Sequence, residues 1–171
     1  PLVKKVKYDF TRSGHALCIV DTGSSHGDLT DDYADITREM GAVAAHFNKR
    51  FLREVPEADF RAAIPSLRVR CGDRAVLRAI HYYEDDRRAV QEGEALERGD
   101  FARFLDLAAG QELLEGTGAI RVHGGGFAGT IQAFVPNDRL EAFRSGMEAL
   151  LGRGKCHILH IRPQGGTVVI G

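Results

Sequence analysis

The sequence predicts an α+β fold, a sandwich of sheet and helices, and three observations carry that prediction. Apolar residues recur at threes and fours through the middle of the chain, short β-rich runs stand towards both ends, and the two do not alternate as the βαβα units of a doubly wound parallel sheet would.

Taken in order, His15 to Asp21 is an apolar run with β-branched Ile19 and Val20 that ends at the turn-prone Thr22-Gly23-Ser24-Ser25, which predicts a buried strand and its exit. From Thr30 the period changes: Tyr33, Ile36, Met40, Val43, Phe47 and Phe51 mark an amphipathic helix, with Thr30 as N-cap and Asp31 and Asp32 near the positive end of its dipole. Pro56 and Pro65 punctuate a shorter helical stretch around Phe60. Asp73 opens a second long helix through Val76, Leu77, Ile80 and Tyr83 to Leu96, stopped by Gly99. Asp100 caps the next, with Phe101, Phe104 and Leu105 on its buried face. Ala119 to His123 and Thr130 to Val135 read as neighbouring strands joined by a glycine loop. Leu140, Phe143, Met147 and Leu150 mark a last helix, and Cys156 to Ile161 and Thr167 to Ile170 read as closing strands. With no internal repeat and no low-complexity linker, residues 1–171 are expected to form one domain.

Composition narrows the function. Lysine and arginine number 23 against 24 aspartates and glutamates, a formal net charge of -1, so no global positive field would hold a nucleic acid. No apolar run has the length of a membrane span and the start has no signal-peptide core, which predicts a cytoplasmic protein without a membrane partner. Cys18, Cys71 and Cys156, odd in number and without CxxC spacing, suit reduced, buried thiols better than a disulfide framework or a zinc site.

The strongest local signal is Arg121-Val122-His123-Gly124-Gly125-Gly126-Phe127-Ala128-Gly129-Thr130. Adjacent glycines between strand-like segments mean that the chain turns through positive φ or that its backbone approaches a ligand or another loop closely; a tight hairpin without a ligand is the plainer alternative. Gly124, Gly126 and Gly129 also satisfy GxGxxG, but a dinucleotide fingerprint must open a helix, whereas a strand follows here. Asp21-Thr22-Gly23-Ser24 matches the aspartic-protease tetrapeptide. That chemistry needs two carboxylates sharing a proton in a nearly all-β fold, and the chain has no second Asp-Thr-Gly or Asp-Ser-Gly and long helices in its middle. His157 and His160 face opposite sides of a strand, and His81 with Glu84 lacks a second helical histidine, so no metal site is assigned.

Together these elements resemble the galactokinase branch of the GHMP small-molecule kinases. The cluster Gly124 to Gly129 followed by an apolar strand is similar to that superfamily's third motif, with Ala128 in place of one glycine and His123 where a threonine is usual. Ile19 to Thr22, His26 and Tyr33 resemble the segment in which an apolar strand leads to a histidine and, seven residues later, a tyrosine that opens a helix. Arg78-Ala79-Ile80-His81 and Ala95-Leu96 to Gly99-Asp100 are similar to the family's Arg-Ala-x-His helix and Ala-Leu-x-x-Gly-Asp exit. The arginine pair that often follows the tyrosine is unmatched at Ile36-Thr37-Arg38.

The resemblance implies a GHMP kinase C-terminal-type sandwich of an antiparallel sheet with helices packed on it. It implies transfer of the ATP γ-phosphoryl to the anomeric hydroxyl of galactose or a related sugar, with Tyr33 as a sugar contact and Gly124, Gly125, Gly126, Phe127 and Gly129 near the nucleotide phosphates. The family's sugar-recognition motif, its Ser-rich phosphate loop and its catalytic aspartate do not occur in the sequence. An N-terminal lobe of the same protein is therefore the implied partner and the source of the Mg²⁺ ligands, no catalytic residue is assigned within this chain, and the chain alone is expected to be inactive. The interval before the glycine cluster is shorter than in the family, which predicts a missing segment near residues 108–110. A sugar-sensing protein without turnover, built on the same fold, is the alternative.

Overall fold

The structure is a computed structural model and describes residues 4–23, 30–108, 117–123 and 129–161. It contains four strands, β1 (His15–Asp21), β2 (Ala119–Val122), β3 (Thr130–Pro136) and β4 (Cys156–Leu159), and five α-helices among those residues. The helices are α1 (Thr30–His46), α2 (Glu57–Cys71), α3 (Asp73–Glu97), α4 (Phe101–Ala108) and α5 (Leu140–Leu151). The chain divides into two compact units, one of Pro1–Ser25 with Gln91–Gly171 and one of His26–Val90, so the boundary falls within α3.

The first unit is built on a sheet of order β2-β3-β1-β4 in which every neighbouring pair is antiparallel. This is two interleaved split crossovers: β3 lies between β1 and β2, and β1 lies between β3 and β4, which follow each other through α5. The period of two is kept across the sheet. Cys18, Val20, Ala133, Val135 and Cys156 all face one side, where Leu140, Phe143 and Met147 of α5 cover them. Leu17, Ala119 and Phe134 face the other side, against Ala95, Phe104 and Ala108. That second layer is aromatic: Phe134 meets Phe104 edge to face at 5.1 Å between centroids, and Phe10 lies 6.0 Å from Phe104. Asp100 caps α4 as expected, accepting from the Arg103 N–H at 3.0 Å.

The second unit packs α1, α2 and the first part of α3 around Val43, Phe60, Leu67, Val76, Ala79 and Tyr83. Beyond single-residue differences at the ends of β2 and β3, three boundaries differ from the sequence-based expectation. Helix α1 ends at His46, short of Phe47 and Phe51, because Asn48 adopts φ 57, a left-handed value that asparagine tolerates better than most residues. Helix α2 runs through Pro65 instead of stopping there. Pro65 costs one main-chain hydrogen bond, but Phe60 and Leu67, fully buried on either side of it, hold both halves to the same core. Strand β4 stops at Leu159, short of Ile161, and the strand expected over Thr167 to Ile170 lies outside the described residues. Two side chains placed on apolar helix faces, Leu77 and Leu150, are exposed, the first because its neighbours Val76, Ala79 and Tyr83 form the buried stripe.

Candidate functional site

The strands that flank the glycine cluster in sequence, β2 and β3, are antiparallel neighbours, as expected. The His123 N–H donates to the Thr130 carbonyl at 3.0 Å, and β3 then runs on as a strand, the opposite of a dinucleotide fingerprint. Gly124, Gly125, Gly126 and Phe127 lie outside the described residues, so the hairpin is defined from its base. Gly129 is buried and has φ 97, a conformation that an L side chain adopts only with strain. Its carbonyl accepts the Thr22 N–H at 2.9 Å, which ties the hairpin base to the exit of β1.

That exit is itself fixed. Asp21 ends β1, and its Oδ1 accepts the Gly23 N–H at 2.8 Å in an Asx turn. Its Oδ2 pairs with Lys155 Nζ at 2.5 Å, and the Asp21 N–H donates to the Lys155 carbonyl at 2.8 Å. The hydrogen bond from Lys155, and next the one from the Gly23 N–H, hold the Asp21 carboxyl below the usual aspartate range. Asp21 is therefore an ionised, paired carboxylate whose partner is an ammonium, which is the reverse of a proton-sharing dyad. On the hairpin, His123 Nδ1 meets Gln132 Oε1 at 3.0 Å, so the imidazole is oriented by the neighbouring strand. At this end of the sheet the Asp21 charge is thus paired and the His123 imidazole held.

The sequence alone could not reveal the Asp21–Lys155 pair. The two residues are 134 apart, and only the β1–β4 register, which sets Val20 opposite Cys156, brings them together. Tyr33 lies in the first turn of α1, in the second unit, and is 36% exposed. His26 lies outside the described residues; of the interval 108–110 suspected of an omission, Ala108 is the buried last residue of α4 and residues 109 and 110 lie outside the described residues. Among the described residues no cluster of three or more His, Cys, Asp or Glu side chains is arranged to hold a metal ion, and no helix is long and apolar enough to cross a membrane.

The described architecture is thus an α+β sandwich in which an antiparallel sheet carries helices on both faces. The same chain resembles the galactokinases in sequence. It is 25% identical over 154 residues to the galactokinase of Actinobacillus pleuropneumoniae serotype 3 (strain JL03), covering 77% of this chain and 40% of that protein. It is 29% identical over 164 residues to the galactokinase of Streptomyces coelicolor, covering 85% of this chain and 42% of that protein. The crystal structure of Lactococcus lactis galactokinase complexed with galactose shares the fold, with a TM-score of 0.68 at 18% identity over 90% of this chain and 45% of that one. The chain spans about 40% of the length of these curated relatives. No protein-family model matches it.

Proposed function

We propose that this chain is the C-terminal part of a galactokinase-like sugar kinase, whose complete form transfers the ATP γ-phosphoryl to the anomeric hydroxyl of galactose or a close relative. One observation carries the reading: similarity to galactokinases extends over most of this chain and coincides with a shared fold, and the strands that flank the glycine cluster pair with each other. In this reading the main-chain N–H groups of Gly124, Gly125, Gly126, Phe127 and Gly129 lie near the nucleotide phosphates or brace a phosphate loop, and Tyr33 donates a hydrogen bond to the sugar. The left-handed φ of Gly129 and the pinned base of the hairpin support a loop that approaches a ligand with its backbone. In the same reading the Mg²⁺ ligands and the catalytic aspartate belong to an N-terminal lobe of the complete protein. Bound Mg²⁺ would neutralise charge developing on the phosphoryl oxygens, and the residues of this chain contribute positioning.

A coupled ADP-release assay of the complete protein over a panel of sugars tests this, with galactose-dependent turnover expected and none from the present chain alone. Absence of sugar-dependent ADP release, with sugar binding retained, would transfer the assignment to a non-catalytic sugar sensor.

A further inference from the structure

The second unit holds a cleft of about 570 Å³ between the middle of α1, the segment that follows it and Tyr82 of α3. Its lining includes Met40, Gly41, Phe51 and Leu52 together with Arg50 and Arg53. The volume is that of a small-molecule site.

Three features set this cleft apart. The first is charge. Most arginines of this unit sit against a carboxylate: Arg38 on Asp35, Arg61 on Glu57, Arg74 on Glu39 and Arg87 on Glu57. Arg50 and Arg53 make no ion pair among the described residues. The neighbouring Glu54 is engaged by main chain, its Oε2 accepting the N–H groups of Arg50 at 2.9 Å and Phe51 at 3.1 Å, and its charge acts on Lys49 and Arg50 without forming an ion pair. The second feature is the apolar lining. Phe51 is 53% exposed, unusual for a phenylalanine, and the Arg50 guanidinium carbon stands over its ring at 5.0 Å from the centroid, so one aromatic face holds the cation in place. The third is Gly41. A glycine in the middle of a helix is unfavourable relative to alanine, yet a Cβ at Gly41 would meet nothing within 4 Å. Packing within the protein does not demand glycine here, and its missing side chain keeps the cleft wall open.

We propose that this cleft binds a small organic anion, its sulfonate, carboxylate or phosphate group held by Arg50 and Arg53 and its apolar body laid against Phe51 and Met40 beside Gly41. The arginines supply charge-assisted donors in fork geometry, and the lining supplies apolar contact that an inorganic ion could not use. Asp86, one turn beyond Tyr82 on α3, is the acidic group that bears on the Tyr82 side of the cleft, opposed there by Arg53. The inference does not rest on the kinase reading.

The test titrates the isotopically labelled chain with 8-anilinonaphthalene-1-sulfonate and follows main-chain amide shifts. Saturating shifts are expected at Gly41, Phe51 and Arg53. The dissociation constant should rise at least tenfold in R50Q/R53Q and in Gly41→Leu, which fills the cleft without touching a charge. Added sodium chloride should weaken binding to the unaltered chain, and N-phenyl-1-naphthylamine, which lacks the sulfonate, should bind at least tenfold more weakly. Salt dependence and the uncharged probe need no substitution and so stand even if a variant folds poorly. Shifts confined to other residues, equal affinity in R50Q/R53Q, or equal affinity for the uncharged probe would each overturn the proposal.

Discussion

Replacing Tyr83 by phenylalanine removes one oxygen and tests what holds the second unit together. The Tyr83 ring packs 5.0 Å from that of Phe60 in the core, while its hydroxyl lies 3.1 Å from the Leu52 carbonyl and 3.0 Å from the Val55 carbonyl. One phenolic proton thus staples the short 3-10 turn Leu52–Glu54 to α3. Phe fills the same apolar space, so the loss is that of the hydroxyl's hydrogen bonding and of its contact with the Val55 carbonyl, while the Leu52 carbonyl keeps the Val55 N–H at 2.9 Å; the cost is about 1–2 kcal/mol. A second signature follows from titration. Burial pushes the Tyr83 phenol up to about 12, so the fold favours the neutral form. With a raised folded value, its contribution is whole below an unfolded pKa of about 10 and declines as pH rises towards the folded one. Urea unfolding at about pH 8 and again at about pH 11 should therefore show the unaltered chain losing more stability between the two conditions than Tyr83→Phe does. Cys18, also shifted upward, contributes to the decline in both proteins and cancels in the comparison, whereas Tyr82, whose charge bears on Tyr83, is part of the difference. A cost at pH 8 below about 0.5 kcal/mol, or identical losses in the two proteins, would refute the staple.

Gly41→Ala should stabilise the chain by about 0.5–1 kcal/mol in thermal or urea unfolding, since helix propensity and unfolded-state entropy both favour alanine and nothing obstructs its Cβ. Gly129→Ala should cost about 1–2 kcal/mol in the same measurement, because φ 97 at the hairpin base is strained for any residue with a side chain. In the complete protein, Tyr33→Phe should lower kcat/KM for the sugar by the equivalent of about 0.5–1.5 kcal/mol with ATP parameters nearly unchanged; unaltered sugar kinetics would remove Tyr33 from the site.

Periodicity made the helices and the strand pairing legible because each reports a face buried over many residues. Helix α3 was found from Val76, Ile80 and Tyr83, and the β2–β3 hairpin from strand texture on both sides of the glycines. What periodicity could not supply was the point at which a pattern stops mattering. Phe51 continued the spacing of α1 arithmetically, but Asn48 breaks the helix by backbone conformation and leaves Phe51 on the cleft wall. Pro65 gave the opposite error, since a local penalty of a few kcal/mol was outweighed by burial of Phe60 and Leu67. Contacts between distant segments were invisible for a different reason. Asp21 with Lys155, and Tyr83 with Leu52 and Val55, depend on register and packing that no local window encodes.

The cysteines carry the last prediction. Cys18 is fully buried and Cys156 nearly so, both on the face of the sheet that α5 covers, and the register places them diagonally across β1 and β4. Burial, and then the proximity of Cys156, push the Cys18 thiol up to about 12; burial also raises Cys156. The thiolate is the reactive species, so at about pH 8 Cys18 has roughly one ten-thousandth of its population in reactive form, before any steric protection is counted. Cys71, at the C-terminal end of α2, is only half-buried. Ellman's reagent at about pH 8 should thus modify one thiol quickly and the other two only as fast as the sheet opens, with the slow phase accelerating in urea. The fast site should disappear in Cys71→Ser. Two or more fast thiols in the folded chain, or a non-reduced mass showing two hydrogens lost, would mean that the sheet face beneath α5 is open or that Cys18 and Cys156 are joined, and either result contradicts a sealed, reduced core.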